Sequence, residues 1–275
     1  MTESNLLDIK FFILGVKGLF RGEHLFTSLK DCGADVEIVF GFDGSKQLPL
    51  NINEESVKSQ FYYGRSLSGG EHACTLGHEL MLRKGLSSKC SLAVFLEDDV
   101  LISNMKLFLD LIISLNWEQS SLFSLYSNPG SILSLNTSKS KGAAHRNYCI
   151  PTGTVAYAMT KPAMQSIIKN EIKRGFKSFG FQADYPLYYA DTTSFFYVPN
   201  NFVKLSNSDS LIGARGKPAN LKSSRLLRIL SIYSLASYFT FGKQFSSLKA
   251  YVMFFHGRKL ALIISSFKNI AFIKD

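Results

Sequence analysis

Short apolar runs alternate with amphipathic stretches in the first part of the chain. Residues 9–16 form an apolar run bounded by glycines, which predicts a buried strand. Residues 21–32 carry apolar side chains at helical spacing and are followed by Gly33, a typical helix stop. Residues 36–40 predict a second strand. A strand, a helix and a strand within forty residues predict a βαβ unit and hence a parallel sheet.

A second helix and a central strand are predicted further along. Ser68 and Glu71 have the spacing of a capping box, so we expect a helix that begins at Gly69 and ends at Gly85. Residues 91–96 are a short apolar run between polar residues, which is typical of a central strand in a parallel sheet.

The second half of the chain continues the α/β pattern. Strands are predicted at residues 122–126, 154–159 and 195–198, with a helix entered through Thr160 and Pro162. Between the first two of these strands lies a serine-rich stretch, which predicts a loop up to residue 147 that is long enough to be a lid. We therefore expect an α/β fold.

Charge separates the chain into two parts. The net charge is +10, of which residues 221–275 carry +8. Beyond residue 216 the chain becomes apolar and basic, so we divide it into a catalytic domain, 1–215, and a basic amphipathic segment, 216–275. A nearly neutral body argues against nucleic acid as a partner. A basic amphipathic segment predicts contact with an anionic membrane surface, with packing against the domain as the alternative.

The cysteine pattern, the N-terminus and the lengths of the apolar runs indicate the cellular compartment. The four cysteines include no CxxC pair, which favours a reducing compartment over a disulfide framework. The N-terminus has acids where a signal peptide would be basic, and the longest uncharged apolar run, residues 229–242, is too short to span a bilayer. We expect a cytoplasmic protein that is peripheral on the cytoplasmic face of the inner membrane.

The most informative polar element is the acidic run Glu97-Asp98-Asp99, which directly follows the predicted central strand. Ligands bind at the carboxyl ends of strands in open α/β sheets, and adjacent carboxylates repel one another. Glu97 and Asp99 would lie on the same side of an extended chain and could hold Mn²⁺ or Mg²⁺. A solvated acidic turn remains the alternative.

Other polar residues leave their roles open. Asp184 is a lone acid among aromatic residues, and it could be a base, a metal ligand, a sugar-hydroxyl acceptor or a helix N-cap. His72 and His78 lie in the predicted second helix, where each could be catalytic or a core residue.

Two motifs together carry a resemblance to a known family. Residues 65–78 read RSLSGGEHACTLGH and residues 93–100 read AVFLEDDV. This pair resembles the signature of glycosyltransferase family 25, the lipopolysaccharide and lipooligosaccharide glycosyltransferases. Asp43-Gly44, residues 153–157 (GTVAY) and Ala183-Asp184 resemble weaker family motifs in the same order. The opening strand lacks the family's usual arginine, and Arg21 is the nearest candidate for it.

The resemblance implies a GT-A-type, Rossmann-like nucleotide-sugar fold and a metal-dependent, inverting transfer. It implies a metal held by Glu97 and Asp99, with Asp184 as the base. The remaining motif residues would contact a UDP-hexose donor: Asp43, Arg65, Glu71, His78 and Asp98.

The functional hypothesis is therefore transfer of a hexose, with galactose from UDP-galactose as the best candidate, onto a lipid-linked oligosaccharide of lipopolysaccharide or lipooligosaccharide. Two alternatives stay open. One is a non-catalytic basic protein that binds membrane surfaces, for which the acids would be dispensable. The other is a metal-dependent hydrolase that uses the same acids and needs no saccharide acceptor.

Overall fold

The structure is a computed structural model that describes residues 8–46, 48, 67–115, 120–126, 145–147, 154–173, 194–198 and 202–206. The predicted C-terminal segment, Arg65 and Asp184 lie outside these described residues. Within the described part of the chain, no helix is both long enough and apolar enough to cross a membrane.

The chain opens with the predicted βαβ unit. Strand β1 (Ile9–Val16) is followed by helix α1 (Glu23–Asp31) and strand β2 (Asp35–Gly41), which pairs with β1 in parallel. Gly33 has a φ of +77°, a left-handed conformation that glycine adopts without steric cost. Its turn donates the Gly33 and Ala34 backbone N–H groups to the last helical carbonyls and redirects the chain into β2.

Helix α2 (Gly69–Ser87) begins where the capping box predicts. The Glu71 backbone N–H donates to the Ser68 hydroxyl, and the Ser68 backbone N–H donates to the Glu71 carboxylate. The expected end at Gly85 was wrong, because Gly85 lies inside the helix and is buried. A Cβ at this position would lie 3.2 Å from Phe95 and 3.4 Å from Ala93, so this glycine lets the helix pack closely on the sheet.

Two strands and a helix follow α2. Strand β3 (Leu92–Glu97) is the predicted central strand, and β4 (Val100–Ile102) comes directly after the acidic turn. Helix α3 (Met105–Ser114) was not predicted, although Asn104 caps it by accepting from the Leu107 backbone N–H.

The other elements of the described part of the chain follow α3. In chain order they are β5 (Ser121–Ser124), β6 (His145–Asn147), β7 (Ala156–Thr160), α4 (Lys161–Lys173), β8 (Ser194–Tyr197) and β9 (Val203–Leu205). Strand β6 falls at the end of the stretch that the sequence predicts to be a loop.

Within the described residues, seven strands form one sheet in the order β2-β1-β3-β7-β5-β8-β6, and β4 pairs with β9 in a separate ribbon. Strands β1, β2 and β3 are parallel as predicted, but β7 runs antiparallel to both β3 and β5. The sheet is therefore mixed and not parallel throughout. The α/β class is confirmed, with a Rossmann-like arrangement in its first half.

Helices cover both faces of the sheet. Phe11 and Ile13 of β1 belong to the core that includes α1 and α3, whereas Phe12 belongs to the core that includes α2 and α4. The same alternation along β3 places Phe95 on the α2 side. The next residue of that parity is Glu97, the last residue of β3, so the fold brings Glu97 toward α2.

Candidate active site

A cavity of about 230 Å³ opens at the carboxyl ends of β1, β2 and β3, beside the first turns of α2. It is lined by residues 14–16, 19, 21, 41–45, 70, 73–74 and 97–99. The acidic run thus shares one cavity with Asp43, as expected for a ligand site at this edge of an α/β sheet.

The acidic run itself is not an extended chain beyond Glu97. Asp98 and Asp99 form a turn between β3 and β4, so the predicted reason for placing Glu97 and Asp99 together does not apply. The cavity brings the two carboxylates to one site all the same.

Asp98 is held by Arg21, which precedes α1. One Asp98 oxygen accepts from the Arg21 guanidinium at 3.0 Å, and the other accepts from the Arg21 backbone N–H at 3.1 Å. The Asp98 side chain is almost fully buried. Because both its oxygens are engaged, Asp98 anchors the turn to the segment between β1 and α1.

Asp99 is the acid with unsatisfied bonding capacity. Its Oδ2 lies 3.5 Å from the Arg21 guanidinium, while its buried Oδ1 has no hydrogen-bond partner among the described residues. Burial, followed by the neighbouring Glu97 carboxylate, raises the pKa of Asp99 from 3.8 to about 6, against the opposing effect of Arg21.

These observations fit a divalent cation. A buried carboxylate oxygen without a partner, next to a second carboxylate, is the environment in which an oxygen-seeking Mn²⁺ or Mg²⁺ would offset both repulsion and desolvation. Glu97 and Asp99 are the residues that would hold it.

Glu97 also belongs to a second cluster. The Cys74 sulfur, a His78 ring nitrogen and a Glu97 carboxylate oxygen lie within 4.8 Å of one another. Both His78 nitrogens already have partners, the Tyr157 hydroxyl at 3.0 Å and Glu97 Oε1 at 3.3 Å. A metal at this cluster would have to displace the hydrogen bond to Glu97, so the pair of Glu97 and Asp99 fits a cation better.

Asp43 also lines the cavity. Its Oδ1 accepts from the Ser45 backbone N–H at 2.9 Å and from the Ser45 hydroxyl at 2.6 Å, and Lys46 lies 3.2 Å from Oδ2. The Ser45 hydrogen bonds keep the pKa of Asp43 below its usual value. Asp43 is therefore an ionised acceptor that shapes a turn at the cavity rim.

The two predicted donor-binding residues on α2, Glu71 and His78, do not line the cavity. Glu71 closes the capping box, and His78 contacts Glu97 and Tyr157. Neither is among the described residues that line the cavity, although Cys74 between them is. His72 is buried. The roles of Arg65 and Asp184 remain predictions because both residues lie outside the described part of the chain.

Sequence reasoning did not assign the contacts of three contributors, although it named Arg21 as the candidate for the family's arginine. Arg21, Thr154 and Tyr157 all contact the acidic run or its partners. Thr154 and Tyr157 lie in the GTVAY segment, which the sequence analysis identifies as similar to a family motif. The motif alone does not show which of its side chains contact Glu97.

The comparison that decides the family covers most of this architecture. The profile of glycosyltransferase family 25 (LPS biosynthesis protein) matches residues 9–177, which is more than half of the chain. The chain belongs to glycosyltransferase family 25. The resemblance stated from the motifs is thereby confirmed, and the protein is a glycosyltransferase of lipopolysaccharide biosynthesis that uses a nucleotide-sugar donor and a glycan acceptor.

The comparisons with curated proteins and with solved structures add no functional information. No curated protein matches this family 25 chain. The crystal structure of A197 from STIV aligns with 77% of the chain and 99% of its own length, at 13% identity and a TM-score of 0.38.

Proposed function

We propose that this family 25 protein transfers galactose from UDP-galactose to a lipid-linked oligosaccharide, in an inverting reaction that depends on Mn²⁺ or Mg²⁺. The observation that carries the proposal is the buried Oδ1 of Asp99, which has no partner among the described residues and stands beside Glu97 in the cavity. The mixed sheet with its acidic turn also fits the GT-A type of fold.

Transfer from a UDP-sugar requires that the negative charge of the departing diphosphate be neutralised. A bound cation would supply Lewis-acid neutralisation of the diphosphate that departs with UDP. Arg21 keeps Asp98 and Asp99 in place and limits the repulsion between the three acids. Glycine occurs at positions 15, 41, 44 and 70 of the cavity lining, so backbone atoms form part of the wall that a nucleotide would contact.

Proton removal from the acceptor hydroxyl needs a carboxylate within hydrogen-bond reach. Asp184 is our candidate for this base, on the strength of the family motif Ala183-Asp184. We place the reaction on the cytoplasmic face of the inner membrane, where the basic segment 216–275 would bring the cavity close to a lipid-linked acceptor.

The test is a donor panel with the full chain. UDP-galactose, UDP-glucose and UDP-N-acetylglucosamine are each incubated with a lipooligosaccharide acceptor and Mn²⁺, and UDP release and glycan product are measured. We expect UDP-galactose to be preferred and EDTA to abolish turnover. Preference for another donor by tenfold overturns the sugar assignment, and UDP release that is indifferent to acceptor indicates a hydrolase instead.

A matched pair of variants tests the site. Asp99→Ala should lower turnover about 100-fold or more, equivalent to about 3 kcal/mol, because the diphosphate charge is no longer compensated. Asp35→Ala removes an exposed carboxylate on β2 and should leave turnover unchanged. Equal activities of the two variants would disprove the role of Asp99.

A further inference from the structure

Three segments that are distant in sequence meet at the carboxylate of Glu97. Thr154, just before β7, donates its hydroxyl to Glu97 Oε1 at 3.1 Å. His78 of α2 places Nε2 at 3.3 Å from the same oxygen. Both contacts fall on Oε1, and among the described residues no hydrogen bond reaches Oε2.

The direction of the hydrogen bonds follows from the chemistry of the groups. An ionised carboxylate only accepts, so His78 Nε2 carries the proton and donates. Its Nδ1 then accepts from the Tyr157 hydroxyl at 3.0 Å when the ring is neutral. The result is a chain of donors from Tyr157 through His78 to Glu97.

The far end of this chain is fixed in the core. Tyr157 is 1% exposed, and its ring packs on Phe95 at a centroid distance of 5.0 Å. Phe95 in turn stacks on Phe12 of β1. Since Tyr157 cannot reorient without disturbing this aromatic cluster, it holds the His78 ring in one orientation.

We propose that Thr154, His78 and Tyr157 are positioning residues that fix the Glu97 carboxylate with Oε1 toward the protein and Oε2 toward the cavity. This assignment rests on the proposed function, in which Glu97 and Asp99 hold a divalent cation. It also gives a reason for the separate motifs: the histidine that ends residues 65–78, the acidic run and the GTVAY segment form one assembly around a single side chain.

The experiment measures Mn²⁺ affinity from the electron paramagnetic resonance signal of free Mn²⁺, without donor or acceptor. Thr154→Val keeps the side-chain shape and removes the hydroxyl, and His78→Leu removes the Nε2 donor. Each should raise the Kd for Mn²⁺ about 10-fold or more, which is the usual effect of losing a partner that orients a metal ligand. His78→Gln, which retains an N–H donor, should stay within about 3-fold of the parent protein.

Matched controls separate positioning from folding. Thr160→Val changes another buried threonine of the same β7 segment, whose hydroxyl bonds to the Ser121 backbone and not to the site. It should leave the Kd for Mn²⁺ unchanged even if it lowers stability. In turnover assays, Thr154→Val and His78→Leu should lower kcat with little change in the acceptor KM, because neither side chain lines the cavity.

The outcomes distinguish this proposal from the one it rests on. If the parent protein binds no divalent cation, the metal dependence of the proposed function and the positioning role both fail. If the parent protein binds Mn²⁺ and Thr154→Val and His78→Leu bind it equally well, the positioning role alone is overturned. A loss for His78→Gln as large as that for His78→Leu, in a folded protein, overturns it too.

Discussion

Asp99 links the stability of this protein to pH at the scale of one residue. Its pKa of about 6 in the folded chain exceeds the ordinary value of 3.8. Between these two values the folded chain therefore binds more protons than the unfolded chain, so the free energy of unfolding falls as pH rises from about 4 to about 6. Above pH 6 the ionised Asp99 carboxylate is destabilised by its burial and by the neighbouring Glu97 charge, and a bound cation would offset both effects.

Asp99→Asn should remove this part of the pH dependence. In EDTA at pH 7.5 the variant should be more stable than the parent protein, because a neutral amide does not repel Glu97. Urea denaturation from pH 4 to pH 8 measures both effects, with Asp35→Asn at an exposed position as the control. Parallel pH profiles for the parent protein and Asp99→Asn would contradict the prediction.

Arg21 is a second residue whose replacement should change stability, and here the change should be a loss. Replacing it with Met retains the aliphatic stem but leaves the buried Asp98 carboxylate without its guanidinium partner. Removing one member of a buried pair costs several kcal/mol, and the partial exposure of Arg21 places the expected loss at about 2–3 kcal/mol.

Arg83→Met provides the comparison for Arg21→Met. Arg83 makes an ion pair with Glu79 at 2.7 Å within α2, but its side chain is half exposed, so its loss should cost less than about 1 kcal/mol. Chemical denaturation of both variants decides the matter, and equal losses would mean that Asp98 is adequately solvated without Arg21.

At the scale of elements, the turn after β2 rests directly on the start of α2. A Cβ on Gly44 would lie 2.5 Å from the Gly70 backbone nitrogen and 2.6 Å from the Gly69 carbonyl carbon. Backbone atoms cannot move aside as a flexible side chain would, so any larger residue must separate the turn from the helix. Both glycines at positions 44 and 70 line the cavity, so this contact also sets its width.

Gly44→Ala should therefore destabilise the fold by about 1–3 kcal/mol and raise the KM for the donor. Gly18→Ala is the control, since Gly18 has a φ of +83° but no atom lies near its added Cβ. Its cost should be about 1 kcal/mol from backbone strain, with donor KM unchanged. A donor KM for Gly44→Ala equal to that of the parent protein would argue against the cavity as the donor site.

The elements also show how far local sequence determines this fold. Strands β1 to β3 and the start of α2 were predictable, because the strands are rich in apolar residues and the helix begins with a capping box. The end of α2 was not, since a glycine reads as a stop signal unless the neighbouring sheet is known. The direction of β7 depends on pairing with β3 and β5 and leaves no local pattern.

The candidate site was likewise predictable only in part. The acidic run was recognisable because it follows a buried strand and matches a family motif. Its contacts with Arg21, His78 and Thr154 were not predictable, because these residues lie 77, 19 and 57 positions from the acids that they contact. Only the folded sheet brings these groups together.

At the scale of the whole molecule, charge is distributed unevenly along the chain. Residues 221–275 carry +8 of the net charge of +10, interspersed with leucine, isoleucine and phenylalanine. Each Lys or Arg at an anionic surface contributes about 1 kcal/mol, so several of them together with buried apolar side chains suffice for reversible attachment. We therefore expect the full chain to float with phosphatidylglycerol vesicles at low salt and to dissociate from them at high salt.

Charge reversal in the full chain tests whether this segment is the anchor. Replacing Arg225, Arg228, Arg258 and Lys259 with Glu should abolish flotation, because attraction to the anionic surface becomes repulsion. The matched control reverses four exposed lysines of the described domain, Lys17, Lys89, Lys106 and Lys204, which changes the net charge by the same amount. If both variants lose flotation equally, overall charge governs binding and the segment has no special role. If the first variant still floats like the parent chain, attachment does not depend on these basic residues, and packing of the segment against the catalytic domain becomes the better account.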